Sequence, residues 1–105
     1  MTRERVEAWL GARRPERPAQ LAAQMSGAVD GCDAPALEAA TTMTEAMGLL
    51  GIAALKRATA RTSESQALAM ELLAADAFVT YAFEAAAEEG VSVQPLVSRL
   101  VSEAV

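Results

Sequence analysis

Leu72–Gly90 reads LLAADAFVTYAFEAAAEEG, and the way this run packs decides the fold. It contains no proline and its glycine stands at the very end, so nothing inside it interrupts a helix. At about 100° per residue, Leu68, Leu72, Ala75, Val79, Ala82, Phe83 and Ala86 fall on one face. Spacings of four and three make that face a seam of coiled-coil type. A second stripe, Met70, Leu73, Ala77 and Tyr81, lies nearly opposite, with Phe78 on the flank between the two. A helix with two apolar stripes needs cover on two sides.

The start signal lies upstream, in RTSESQ (61–66), where Ser63 and Gln66 fit a capping box. The spacing therefore predicts a helix from about Glu64 to Glu89, closed by Gly90 as its left-handed residue. Before it, residues 34–60 read as one long helix, with Asp33 as N-cap and Pro35 in the first turn. Leu37, Ala40, Met43, Met47, Leu50 and Ala54 recur along it at helical spacing, and Leu49, Ile52 and Leu55 widen the stripe. Polar residues thin out between Glu45 and Lys56, so this helix too must be buried on more than one side. Gly48 and Gly51 each cost about 1 kcal/mol against alanine in a helix, and close approach of another helix is the expected compensation. Lys56, Arg57 and Arg61 complement the negative end.

Shorter elements flank this pair. Thr2 can cap a first helix, Thr2 to Ala12, whose small apolar face is Val6, Trp9 and Leu10. RRPERP (13–18) ends it, which makes residues 1–17 a basic arm able to swing. A second helix, from Pro18 to about Val29, presents Leu21, Met25, Ala28 and Val29. The last, in VQPLVSRLVSEAV (93–105), should turn Leu96, Val97, Leu100, Val101 and Val105 inward. No alternating strand pattern occurs. The expected architecture is an all-α domain, a bundle of about five helices with two long central antiparallel ones (34–60 and 64–89) and shorter flanking helices.

Composition bounds what such a bundle can do. Of 105 residues 52% are apolar, but 25 are alanine and only 4% are aromatic. Alanine favours helix yet buries little area, so the core is thin, and a second chain is a common supplement. Net charge is −5, with a local excess of arginine in residues 1–17 and an acidic remainder. An acidic body repels a phosphate backbone, which disfavours nucleic acid as a partner. No apolar run is long enough to span a membrane, and the N-terminus lacks the apolar segment of a signal peptide. The lone Cys32 fits a reducing compartment, and the cytoplasm is the expected location.

Chemistry has little to work with. The chain has no histidine, which removes the commonest general base and the Ser/His and Cys/His nucleophile systems. One cysteine cannot build a structural zinc site, and no phosphate-binding Gly-rich loop occurs. Neither catalytic, metal nor cofactor residues are assigned. LAADAFVTYAFEAAA (73–87) resembles a helix of the trans-isoprenyl diphosphate synthases, with Asp76, Thr80, Ala82, Phe83 and Glu84 in register. The paired DDxxD motifs of that family are absent, so the resemblance implies an interior helix of an all-α bundle and no activity.

The favoured reading is a non-enzymatic interaction or adaptor protein that self-associates into a homodimer or other even oligomer. Met70, Leu73, Ala77 and Tyr81, with Gly48 and Gly51, are the expected self-association face. Two long helices that each need double cover would find it by pairing across a two-fold axis, the alternative being cover of the second face within the chain by the second or the last helix. Arg13, Arg14 and Arg17 with Glu84 and Glu88 are expected to make partner contacts. Glu84 and Glu88 repel at i, i+4 near the negative end of their helix, and the arm's arginines could relieve them. One alternative is a carrier or sensor with an apolar pocket lined by Met43, Met47, Met70, Phe78, Tyr81 and Phe83. Another is a DNA-binding or antitoxin-type regulator using Arg3, Arg5, Arg13, Arg14 and Arg17.

Overall fold

A computed structural model describes residues 1–61 and 65–104. Among the described residues six helices follow one another: α1 (Arg3–Gly11), α2 (Ala19–Asp30), α3 (Ala34–Ala39), α4 (Met43–Thr59), α5 (Gln66–Glu89) and α6 (Gln94–Ala104). No strand occurs among the described residues. The bundle is all-α, as expected.

Helix α4 is the axis of the bundle. Ten of its 17 residues are buried, more than a single stripe can supply. Helix α5 packs along it antiparallel, because Thr44 meets Glu89 at one end and Arg57 meets Glu71 at the other. Helix α6 returns parallel to α4, with Leu96 over Gly48 and Glu103 beside Lys56. Helices α1, α2 and α3 complete the enclosure, and all six contribute to one apolar cluster that includes Val6, Met25, Leu37, Met47, Phe78 and Leu96.

The long helix expected over 34–60 is two helices. Thr42 is extended and its hydroxyl accepts from the Glu45 N–H at 3.1 Å, while the Glu45 carboxylate accepts the Thr41 N–H and hydroxyl at 3.1 Å each. This reciprocal pattern is a capping box, and it starts a new helix in the middle of the expected one. Glu89, at the far end of α5, reinforces the start. Its carboxylate accepts the N–H of Met43 at 2.8 Å, the N–H of Thr44 at 2.9 Å and the Thr44 hydroxyl at 2.6 Å. Two orphan donors of the first turn are thereby satisfied by a residue 45 or more positions away.

Helix α5 is a helix where predicted, but its buried face is turned by about 60° from the predicted seam. The residues against the core are Glu71, Ala74, Ala75, Phe78, Ala82, Ala85 and Ala86, while Leu72 and Phe83 stand 47% and 44% exposed. Size explains the rotation. Alanines let the backbones of α4 and α5 come together, and among the described residues eight of the 19 buried apolar ones are alanine. A Cβ on Gly51 would lie 3.0 Å from Val79 Cγ2 and 3.4 Å from Phe78 Cβ, so α5 lies close against α4 at this glycine. Gly90 closes α5 with φ +68°, as its position predicts. At the start of α5, Ser65 is the N-cap and its hydroxyl accepts the Leu68 N–H at 3.1 Å. The predicted cap Ser63 lies outside the described residues, as do Glu64 and Val105.

Two further expectations change. Helix α1 is part of the core rather than a free arm, since Val6 and Leu10 are fully buried. On α6 only Leu96 is buried, Val97 and Leu100 are half-buried, and Val101 is 58% exposed.

Candidate interaction surface

Trp9 fixes α1 to the C-terminal half of α5. Its ring meets Tyr81 edge to face, with centroids 6.0 Å apart. The Arg13 guanidinium lies 4.0 Å above the same ring, a cation–π contact. Trp9 Nε1 donates to Glu88 at 3.2 Å, and Arg13 forms an ion pair with Glu88. The i, i+4 repulsion expected between Glu84 and Glu88 is thus relieved within the chain, by an arginine of the N-terminal segment. The hydrogen bond from Arg13 lowers the Glu88 pKa, with burial opposing it and Trp9 assisting. For Glu89, burial raises the pKa, but the hydrogen bonds from Thr44 and the two N–H groups outweigh it and the net shift is downward.

These contacts place most of the predicted self-association residues against the chain's own helices. Ala77 and Tyr81 are half-buried against the core, and Met70 is half-buried. Gly48 and Gly51 are buried within the chain, Gly48 beneath Leu96 and Gly51 against Phe78 and Val79. Leu73, 53% exposed, is the one member of the set that stands out to solvent. Trp9 of α1 thus covers Tyr81 within the chain, and α2 also packs on α5.

The predicted partner contacts divide in the same way. Arg13 and Glu88 are engaged with each other. Arg14 bonds to the carbonyls of Gly11 and Arg13 and lies 3.8 Å from Glu16, while Arg17 approaches the Met25 sulfur at 3.7 Å. Glu84 is exposed and has no ion-pair partner among the described residues. Arg3 donates to the carbonyls of Val29 and Cys32 at the C-terminal end of α2, so Arg3 and Arg13 serve two different structural tasks. Nor do the six residues of the expected apolar pocket converge. Met47 and Phe78 are fully buried in the packed core, and Phe83 faces outward.

Besides Leu73 and Val91, three large apolar side chains are exposed among the described residues, and they lie along the α5–α6 flank. Val79 touches α4 at Gly51, which places the edge of α5 that carries Leu72, Val79 and Phe83 toward α6. On α6, Pro95, Leu96 and Arg99 border a groove against α3 and α4, so Val97 and Val101 fall on the other flank, toward α5. Leu55, half-buried, occupies the strip of α4 between. Leu72 and Phe83 from α5 and Val101 from α6 are the exposed large side chains of this flank. Helix α6 rests on α4 more than on α5.

Elsewhere, Glu71 is buried and held by Arg57 at 3.2 Å and Arg61 at 3.5 Å. Cys32 is half-buried with its thiol free. Among the described residues no three cysteine or carboxylate side chains converge as metal ligands. Comparison with models of known protein families, with curated proteins and with solved structures gave no match.

Proposed function

We propose that this chain is a non-enzymatic helical interaction protein of the cytoplasm that pairs with a second copy of itself through the α5–α6 flank. The observation that carries the reading is the exposure of Leu72, Phe83 and Val101 along one flank of a small bundle. Contiguous apolar surface of this kind marks a contact site. Antiparallel pairing about a two-fold axis would stack the two α5 edges, with each α6 covering the partner's edge. Each half-exposed side chain gains about 1 kcal/mol on being covered. Few such side chains are involved, so pairing is weak and concentration-dependent. Exposed charges outside the flank, Arg14 and Glu84 among them, are the groups left for a different protein partner. Nucleic acid is not part of this reading, and no described helix is long and apolar enough to cross a membrane.

The test is to place a charge on the flank. Leu72→Glu and Val101→Glu change side chains that the single chain leaves about half exposed, so the fold is expected to survive. Light scattering at high protein concentration should give a monomer for both variants and a larger species for the parent. Variants that keep the parent's mass would sink the proposal.

A further inference from the structure

On the side of α6 away from the pairing flank, a groove of about 550 Å³ opens between α3, α4 and α6. It lies beside the break between α3 and α4 that the Thr41–Thr42–Glu45 box sets. Leu49 and Ile52 form the floor, Ala36 and Ala39 one wall, Pro95 and Leu96 the other. Its size and apolar lining fall within the range of small-molecule sites.

Charge selects the ligand. Arg99 stands at the groove and has no carboxylate partner among the described residues. The carboxylate nearest to it along α6, Glu103, is engaged by Lys56 at 3.4 Å. Glu45 also borders the groove, but both its oxygens accept from Thr41. It lies toward the N-terminal end of α4, whereas the parallel register of α4 and α6 puts Arg99 near Ile52, about 10 Å further along the axis. One end of an apolar channel therefore offers a free guanidinium, the group best suited to a carboxylate.

We propose that this groove binds an apolar monocarboxylate, with its acyl chain along Leu49, Ile52 and Leu96 and its carboxylate on Arg99. The site is separate from the pairing flank, and either can fail without the other. Amide-resolved NMR titration with decanoate, below its micelle-forming concentration, tests it, with decylamine as a cationic control of the same chain length. Decanoate should give saturable shifts centred on Leu49, Ile52 and Leu96, and decylamine should bind at least tenfold more weakly. Arg99→Gln should weaken decanoate about tenfold, and Ala39→Trp, which fills the groove, should abolish binding while circular dichroism stays unchanged. Equal binding of the two amphiphiles, unaltered affinity in Arg99→Gln, shifts centred on Leu72, Phe83 and Val101, or no saturable shift would each overturn the proposal.

Discussion

Replacing Gly51 by alanine sets two opposed effects against each other. Alanine in a helix interior is favoured over glycine by about 1 kcal/mol. The new Cβ would lie 3.0 Å from Val79 Cγ2 and 3.4 Å from both Phe78 Cβ and the Val79 backbone nitrogen. Relaxed carbon contacts sit at about 3.5–4.0 Å. Val79 is β-branched and stiff, and a backbone nitrogen cannot turn aside, so α5 must move away from α4 along the alanine contact. Overpacking of this kind costs about 1–3 kcal/mol, which outweighs the helix-propensity gain and leaves a net loss of about 1 kcal/mol. Gly48→Ala is the internal control. Its Cβ would meet Leu96 Cδ1 at 3.1 Å, the far end of a flexible side chain, with the next atoms at 3.8 Å. Leu96 can turn, so the propensity term survives and the variant gains a few tenths to about 1 kcal/mol. Thermal unfolding followed by circular dichroism should lower the Tm of Gly51→Ala by about 4 °C or more and raise that of Gly48→Ala. Equal stabilisation of both variants would refute the close α4–α5 approach at Gly51.

Removing residues 1–14 deletes Val6 and Leu10 from the core and strips the Trp9 and Arg13 contacts from α5. Urea unfolding should show a loss of several kcal/mol or no folded state, since each buried aliphatic side chain alone contributes about 2–5 kcal/mol. Unchanged stability would mean that α1 is an arm after all. Glu89→Gln should cost about 1 kcal/mol at neutral pH, the worth of an N-terminal cap, with urea unfolding as the readout. Glu88 and Glu89 both have pKa values lowered from 4.5 in the folded chain. Their contribution is therefore present above that value and is lost as pH falls through the lowered folded values, where the parent and Glu89→Gln should converge in stability. A gap that stayed constant down to that range would argue against charge on Glu89 as the cause.

The fold was legible where local chemistry governs it. Thr2 by its hydroxyl and Gly90 by its backbone freedom mark helix ends where predicted, and Asp33 stands at the predicted N-cap position without a capping hydrogen bond from its side chain. The break before Met43 was also written in the chain, as the TTMTE (41–45) pattern. It was masked because apolar residues at 37, 40, 43 and 47 keep helical spacing straight across the break. The orientation of α5 was harder to read. Periodicity gives weight to large side chains, but apart from Phe78 the helix turns mainly alanines inward. That preference depends on a neighbouring helix and leaves no local trace.

Charge anticipated part of the surface. The unrelieved carboxylates of α5 pointed to arginines of the N-terminal segment, and Arg13 does pair with Glu88. Nothing local announced that Trp9 would lie between them, or that Glu89 would cap α4. Both depend on contacts between residues more than 40 positions apart.

Sedimentation equilibrium of the unmodified chain, from about 1 µM to several hundred µM, tests the central claim most directly. Reversible growth from monomer to dimer within that range is the predicted result, and it should vanish in Leu72→Glu. A monomer at every concentration would contradict the pairing account and leave the α5–α6 flank as the surface for a different partner.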